Sequence, residues 1–243
     1  MNRLTGIDLP GEASGYFFSE ETLANPQSYA SLTSAAFGQT FKVTPIQMIT
    51  AFCAVANGGK LMTPYVVGQV LDADGNVIST TKPAVKRQVI SASTSQRVSK
   101  MLADAVNGGG SKNAYVAGYR VAGKTGTSEK RDMQGNQVVA SFAGFAPADD
   151  PEIAVLVLLD QPQSRIRYGG TISAPVAQKI FDAVLPYLGV EPAYTAEELA
   201  KLSRTTPNTV GKEKAAALTQ LSGSGLKAIV VGEGATVVRQ CPE

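Results

Sequence analysis

A single cation among small residues and hydroxyls marks the stretch of this sequence best suited to chemistry. Residues 121–128 read Val-Ala-Gly-Lys-Thr-Gly-Thr-Ser, with Lys124 as the cation and three hydroxyl residues behind it. Glycines on both sides of the Lys-Thr pair let another backbone approach closely. Apolar residues before this stretch and charged residues after it predict a strand that ends at the surface. Such a strand end is suited to hold an anionic group of a ligand against the edge of a sheet.

Composition excludes several classes of mechanism and partner. The 243 residues are 44% hydrophobic, carry a net charge of +2 and include no histidine. Without imidazole, Ser-His-Asp hydrolysis, Cys-His proteolysis and most catalytic zinc sites are excluded, and proton transfer falls to Lys, carboxylates or Tyr. The absence of a basic stripe argues against nucleic acid as the main partner. Since the longest apolar run, residues 153–159, is far short of the ~20 residues of a membrane helix, we expect no membrane segment in this chain.

Capping signals predict where the first helices begin. Thr44, Pro45 and Gln47 form a capping box ahead of an apolar helical pattern, which ends at the Asn-Gly-Gly of residues 57–59. Within that pattern Cys53 is interpreted as a small core residue. A second helix is predicted to be capped by Ser93 and Gln96. Its expected apolar face comprises Val98, Met101, Leu102, Ala105 and Val106. Residues 13–42 are predicted to be mostly loop.

Strand patterns around the central stretch predict an antiparallel sheet. Residues 119–127, 137–145 and 152–159 are strand candidates joined by short polar connections, which favour antiparallel neighbours. The third candidate is apolar on both faces and should be covered on both. A helix after Ser173 can pack on this sheet through Val176, Ile180, Val184 and Leu185. A separate hairpin is predicted from residue 65 to residue 78, with its turn at Asp74-Gly75. This combination predicts an α+β fold.

The last fifty residues predict a small separate module. Thr195 and Glu198 form a capping box for a short helix, and residues 203–206 are a linker candidate. A helix over 212–221 and strands over 226–231 and 235–240 are expected beyond it.

Two meanings of the Gly-Lys-Thr stretch compete. Residues 118–125 satisfy the P-loop pattern in full, and the apolar run that ends at Asp160 imitates its magnesium-binding strand. A P-loop, however, needs a helix directly after its Lys-Thr, because the helix N-terminus binds the phosphates. Residues 126–135 show no apolar helical face and contain two glycines. The sequence therefore favours a strand, although P-loop nucleotide binding stays open as an alternative, as does the plain interpretation of Lys124 as a solvated lysine.

The Lys-Thr-Gly motif and several spaced motifs around it resemble a known family. In this order they are residues 4–12, 36–47, 56–59, 121–128, 141–147 and 168–175. Together they resemble the C-terminal part of the transpeptidase domain of a class B penicillin-binding protein, a β-lactamase-like fold with an antiparallel sheet packed by helices. Thr40 stands where that family usually has glycine. The resemblance covers residues 1–190. Residues 191–204 are expected to form a short helix and a linker.

The tail resembles a second family. Pro207-Asn208, Val210-Gly211, Gly225-Leu226 and Gln240 are spaced as in a PASTA module. Residues 205–243 are therefore expected to form a small, incomplete PASTA-like α/β module, since the match stops before the last strand of such modules.

The penicillin-binding resemblance implies roles for four residues, with no cofactor and no metal. Lys124 would be catalytic, lending positive charge and contacting the hydroxyl of the family's Ser-x-Asn element. Thr125 and Thr127 would bind the terminal carboxylate of the substrate, and the Thr127 amide would donate to the oxyanion. Gly126 would let the acyl peptide lie along the strand.

The nucleophile that this family needs is expected to lie outside the chain. Ser79 and Ser224 both open Ser-x-x-Lys patterns, but neither is predicted to start a buried helix. Ser111-Lys112-Asn113 fits Ser-x-Asn, yet it follows three glycines just before the Lys124 strand. We interpret all three as chance matches.

The resemblance implies part of a peptidoglycan D,D-transpeptidase that cross-links stem peptides by serine acyl transfer and binds β-lactams. The chain alone is expected to be inactive. Its implied partners are D-Ala-D-Ala stem peptides, β-lactams and the cell-wall synthesis machinery, at the extracytoplasmic face of the bacterial membrane, to which a segment absent from this chain would anchor the parent protein. The alternative from a different class is a non-catalytic, peptidoglycan-binding scaffold module, which the tail motivates.

Overall fold

The computed structural model describes residues 4–130, 137–202 and 206–240. The chain divides into two compact units, residues 1–193 and 194–243, and each is described by itself. Within the described residues, no helix is both long and apolar enough to cross a membrane. The predicted polar turn at 133–136 lies outside the described residues, as does most of the predicted linker at 203–206.

Two short helices open the first unit, α1 (Glu20–Ala24) and α2 (Tyr29–Ala36). The prediction of mostly loop over 13–42 is therefore wrong in part. Neither helix contains a buried residue, so no apolar periodicity marked them. Beyond α2, Thr40 has a φ of +66°, a left-handed conformation that glycine adopts without strain.

The helix α3 (Pro45–Ala56) begins as the capping box predicts. The Thr44 side chain accepts from the Gln47 amide, and the Gln47 side chain accepts from the Thr44 amide at 3.0 Å. The helix ends at Ala56 with Asn57 as its C-cap, and both following glycines have positive φ. Both ends of this helix are thus confirmed.

Two small antiparallel sheets follow α3. The strands β1 (Lys60–Met62), β2 (Gln69–Leu71), β3 (Val77–Thr80) and β4 (Val85–Gln88) pair as β1 with β4 and β2 with β3. The predicted hairpin is confirmed, but its first strand starts at Gln69 rather than at residue 65. The reason is that the amides of Val66 and Val67 donate to the Asp8 carboxylate, at 2.8 and 2.9 Å, and not to a strand.

The helix α4 (Ala92–Asn107) begins two residues before its predicted start. Ser91, rather than Ser93, is the cap, because its Oγ accepts from the Thr94 amide at 3.1 Å. Its predicted apolar face is also partly wrong, since Met101 is 61% exposed. The buried face is made of small residues and one valine: Ser95, Ser99, Ala103 and Val106. Small side chains let α4 approach its neighbours, and Ser95 Oγ donates to the Val55 carbonyl of α3 at 2.5 Å.

The main sheet contains β5 (Ala122–Glu129), β6 (Val138–Ala146) and β7 (Ile153–Asp160) in the order β5-β6-β7. Both pairs are antiparallel, as predicted, with Thr125 opposite Phe142. The first strand starts three residues later than predicted. Residue Arg120, just before it, has a left-handed φ of +35°, and its carbonyl accepts from the Ala148 amide.

Helices cover both faces of this sheet, which confirms the α+β class. After α5 (Gly169–Ile172), the helix α6 (Ala174–Tyr187) packs Phe181 and Leu185 against Phe142. On the other face, Phe145 packs with Ala103 of α4 and Phe52 of α3. The strand β7 was predicted to be covered on both faces. This is confirmed for its first part, but Leu158 near its end is 40% exposed.

The packing face of α6 matches the predicted one in part. Leu185 is fully buried and Ile180 packs against the core, as predicted, whereas Val176 is 42% exposed. Four residues of the helix are fully buried. They are Ala174, Ala177, Phe181 and Leu185. The observed face is displaced around the helix because Phe181, which the prediction left out, fills the space beside the sheet.

The second unit contains α7 (Ala196–Leu202) and α8 (Lys214–Gly223). The predicted capping box of α7 is confirmed, with Thr195 and Glu198 exchanging backbone-to-side-chain hydrogen bonds of 2.7 and 3.2 Å. The two predicted strands are wrong. Residues 226–231 form no ladder. Residues 235–237 bond to residues 211–214 at the start of α8, where Thr236 and Glu213 form an isolated bridge.

Candidate active site

The strand β5 has one edge that pairs with no other described strand. At that edge, the Thr125 amide donates to Ser111 Oγ at 3.2 Å, so it points away from β6. Amide directions alternate along an antiparallel strand, and the Thr127 amide therefore points to the same open edge. The open edge thus presents a backbone donor beside a row of hydroxyls.

Alternation also assigns the side chains to the two faces of β5. Lys124 is exposed on one face, and its Nζ donates to the Thr125 carbonyl at 3.0 Å. Thr125 and Thr127 lie on the opposite face. Gly123 allows the strand to sit against the core, since a Cβ there would lie 2.3 Å from the buried ring of Phe142. The predicted site residues are therefore on one strand, with the cation and the hydroxyls on different faces.

The first residues of α5 pack on the threonine face. The Gly169 amide donates to Thr127 Oγ1 at 3.1 Å. A Cβ on Gly170 would lie 3.8 Å from Thr125 Cγ2, and one on Gly169 would lie 2.3 Å from the carbonyl oxygens of Gly126 and Ser141. At Gly169 only a residue without a side chain fits, because both obstacles are backbone atoms.

The position of the segment that contains Ser111 and Asn113 differs from the prediction. We interpreted Ser-Lys-Asn as a chance match, and the structure places it directly beside β5. Ser111 is 1% exposed and accepts from the Thr125 amide, while Asn113 Nδ2 donates to the Gly170 carbonyl at 2.7 Å. These side chains support the strand and the turn. The three glycines before Ser111 do not signal this packing, because a Cβ would clash only at Gly109, with Ala105 of α4.

The two Ser-x-x-Lys matches lie on elements other than β5. Ser79 is an exposed residue of β3. Ser224 follows α8 in the second unit, where its Oγ donates to the Gln220 carbonyl at 3.1 Å. Neither serine opens a buried helix.

The structure contradicts the P-loop alternative. The strand β5 runs through Lys124 and Thr125 as far as Glu129, so no helix N-terminus follows the Lys-Thr pair. Asp160, the supposed magnesium ligand, ends β7 and pairs with Lys130 at 2.6 Å. Within the described residues, no group of three or more Cys, Asp or Glu side chains could hold a metal ion.

The perturbed groups lie outside β5. Amide donation from Val67 and Val66 holds the pKa of Asp8 below its ordinary value, and hydrogen bonds from Thr5 do the same for the pKa of Glu12. Burial raises the pKa of the Cys53 thiol, as expected for a core cysteine. The Asp8 carboxylate thus joins the first residues of the chain to residues 66–67, far along the sequence.

Comparison with known proteins identifies the family. The model of the penicillin-binding protein transpeptidase domain matches residues 1–182. The chain belongs to the penicillin-binding protein transpeptidase family. This assignment confirms the resemblance inferred from residues 4–175, and the Lys-Thr-Gly strand β5 lies within the matched region.

Individual relatives agree with the family. Stage V sporulation protein D of Bacillus subtilis is 38% identical, over 98% of this chain and 37% of that protein. The peptidoglycan D,D-transpeptidase FtsI of Escherichia coli K12 is 30% identical, over 79% of this chain and 31% of its own length. This penicillin-binding family member therefore spans about a third of the length of these curated relatives.

A solved structure has the same architecture. Penicillin-binding protein 3 of Mycobacterium tuberculosis, complexed with ampicillin, superimposes with a TM-score of 0.70 at 28% identity. The match covers 81% of this chain and 45% of the other. It supports the mixed helical and antiparallel fold of the transpeptidase domain.

Proposed function

We propose that this chain supplies one wall of a peptidoglycan D,D-transpeptidase site. The observation that carries the proposal is the edge of β5 that pairs with no other described strand. This strand carries Lys124 and the threonines of a Lys-Thr-Gly-Thr stretch, and by alternation the Thr127 amide points to that edge. Relatives named as D,D-transpeptidases support the reaction class. The same edge would receive β-lactams, whose carboxylate resembles the end of a stem peptide.

Each residue of this wall has a proposed task. The hydroxyls of Thr125 and Thr127 bind the C-terminal carboxylate of D-Ala-D-Ala, through hydrogen bonds that the negative charge strengthens. The Thr127 amide, which alternation places on the open edge, donates to the oxyanion. Gly126 leaves room for the substrate backbone to add as a further strand. Lys124 supplies positive charge and contacts the hydroxyl of a Ser-x-Asn element.

The nucleophilic serine is proposed to come from sequence beyond this chain. Its oxygen attacks the carbonyl of the penultimate D-Ala, the peptide bond breaks, and the terminal D-Ala leaves with the proton. An amine of a second stem peptide then attacks the ester, forms the cross-link and releases the serine. The whole protein would act at the extracytoplasmic face of the membrane with other cell-wall synthesis proteins, in a role such as sporulation or division.

Two measurements on the chain test this proposal. A fluorescent penicillin should leave it unlabelled after denaturing electrophoresis, since a covalent adduct would reveal a nucleophile within the chain. In NMR titrations, N-acetyl-D-Ala-D-Ala should shift the amides of residues 125–128 and bind more tightly than its C-terminal carboxamide. Equal affinity for the two peptides would contradict the role of the threonines.

The second unit motivates a second proposal, in which a PASTA-like module binds peptidoglycan without catalysis. Its apolar side chains are unusually open, with Ile229 93% and Val231 94% exposed. Such side chains are suited to contact a ligand or a neighbouring module. Insoluble peptidoglycan should retain the whole chain but not residues 1–193 alone. Equal retention of both would refute a wall-binding role for this unit.

A further inference from the structure

A hydrogen bond from outside the sheet fixes the Thr127 hydroxyl. The donor is the amide of Gly169, at 3.1 Å from Thr127 Oγ1. We call residues 168–170, the cap and the first two residues of α5, the glycine turn. Its backbone touches the sheet directly, because a Cβ on Gly169 would lie 2.3 Å from two carbonyl oxygens of β5 and β6. The amide and the hydroxyl are therefore held at a fixed distance as long as the turn stays in place.

The direction of this bond decides what the hydroxyl can do next. A hydroxyl has one proton and two acceptor lone pairs. Because the Gly169 amide uses a lone pair, the proton of Thr127 is left free to donate. Thr127 is exposed, so the acceptor must come from solvent or from a ligand. A carboxylate accepts such a proton most strongly, since the negative charge strengthens the hydrogen bond.

The glycine turn is in turn held by a side chain from a distant segment. Asn113 Nδ2 donates to the Gly170 carbonyl at 2.7 Å, across 57 residues of sequence. Asn113 belongs to a single 3₁₀ turn, Lys112–Ala114, whose Ala114 is fully buried. Two residues before Asn113, the buried Ser111 accepts from the Thr125 amide at 3.2 Å. One rigid segment thus contacts both β5 and the glycine turn.

We propose that Asn113 is a positioning residue for recognition of the substrate carboxylate. By holding the Gly170 carbonyl, it keeps the Gly169 amide on Thr127 Oγ1, and the Thr127 hydroxyl is thereby preset as a donor. This inference rests on the proposed role of Thr127 in binding the carboxylate of D-Ala-D-Ala. Asn113 itself does not touch the ligand, so its effect depends on the presence of the Thr127 hydroxyl.

The test compares two peptides and four variants by NMR titration of the 243-residue chain. The peptides are N-acetyl-D-Ala-D-Ala and its C-terminal carboxamide. Thr127→Val should raise the dissociation constant of the carboxylate peptide about 10- to 100-fold, and Asn113→Leu about 3- to 10-fold. Both should change carboxamide binding less than about 2-fold. In the double variant, Asn113→Leu should add nothing to Thr127→Val, because both act on one interaction.

A matched control and a second readout separate positioning from general damage. Asn107→Leu makes the same substitution at an exposed residue at the end of α4, whose side chain makes no hydrogen bond within the described residues, and it should leave both affinities unchanged. The Gly169 amide proton should exchange slowly with solvent in the unsubstituted chain and faster in both Asn113→Leu and Thr127→Val. This readout needs no ligand, and it also covers an Asn113 variant too unstable for titration.

The outcomes distinguish the two proposals. Suppose that the unsubstituted chain prefers the carboxylate peptide. If Asn113→Leu then binds this peptide as tightly as the unsubstituted chain, or loses affinity for both peptides equally, the role of Asn113 is refuted and the proposed function stands. Full additivity in the double variant, or fast exchange of the Gly169 amide in the unsubstituted chain, refutes it too. If the unsubstituted chain does not prefer the carboxylate peptide, the proposed function fails and the positioning role fails with it.

Discussion

Replacing Gly169 with alanine should separate the glycine turn from β5. The added Cβ would lie 2.3 Å from the carbonyl oxygens of Gly126 and Ser141, about 1 Å inside the 3.4 Å of ordinary contact. Both obstacles are backbone atoms of paired strands and cannot rotate away, so the turn must move. A shift of that size lengthens the 3.1 Å bond to Thr127 beyond hydrogen-bond range. Overpacking of this kind costs about 1–3 kcal/mol of stability.

Urea unfolding followed by circular dichroism measures that cost, and exchange of the Gly169 amide reports the lost bond. Gly68→Ala is the matched control, because a Cβ there meets nothing within 4 Å. It should change the free energy of unfolding by less than about 0.5 kcal/mol. If Gly169→Ala is as stable as the unsubstituted chain and keeps its amide protected, the described packing of the turn on β5 is incorrect.

Three further predictions follow from the same structure. Thr44→Ala should destabilise the chain by about 1 kcal/mol in urea unfolding, since it removes half of the capping box of α3, and an unchanged midpoint would contradict the observed cap. Phe181→Ala should cost about 3–5 kcal/mol because Phe181 is fully buried, whereas Phe37→Ala, at a residue that is 71% exposed, should cost almost nothing; similar losses for both would contradict the described core. Amide donation from Val67 and Val66 lowers the folded-state pKa of Asp8, so its contribution to stability is complete above its unfolded pKa and is lost as the pH falls below about 4. The melting temperature should therefore fall less between pH 6 and pH 3 in Asp8→Asn than in the unsubstituted chain, and parallel curves would show that Asp8 is not bonded.

Local signals in the sequence predicted the elements whose causes are local. The capping boxes at Thr44 and Thr195 each join residues three apart, so four letters of sequence contain the whole interaction. The start of α4 was misjudged because Ser91 and Ser93 are both suitable caps, and their hydroxyls lie 3.0 Å apart in the structure. Choosing between them needs the path of the incoming chain.

Long-range contacts were beyond such signals. The bond from Asn113 to Gly170 spans 57 residues, and the bond from Gly169 to Thr127 spans 42. Neither hydrophobic periodicity nor a capping signal predicts these two contacts, although Gly169 and Gly170 lie within the family motif at residues 168–175. The strands predicted at 226–231 and 235–240 failed for the same reason. Extended segments form a ladder only where a partner strand lies alongside, whereas residues 235–237 bond to residues 211–214 at the start of α8 and form an isolated bridge.

The four residues of the Lys-Thr-Gly-Thr stretch were predicted together because they are adjacent in sequence. Their assignment to a strand followed from the missing helical face after Thr125, and β5 confirms it. Their tasks in catalysis stay predictions, since they depend on a ligand and a nucleophile. What the structure adds is the direction of the Thr125 amide, which donates to Ser111, and, by alternation along β5, the direction of the Thr127 amide.

The central claim is that Lys124 and β5 form one wall of a serine transpeptidase site. The most direct test is a chimera of stage V sporulation protein D, in which this chain replaces the matching segment. Fluorescent penicillin should label the folded chimera, and Lys124→Ala should slow labelling about 100-fold or more. Lys82→Ala, at an exposed lysine outside the site, should leave the rate unchanged. Labelling of the Lys124→Ala chimera at the full rate would contradict the account.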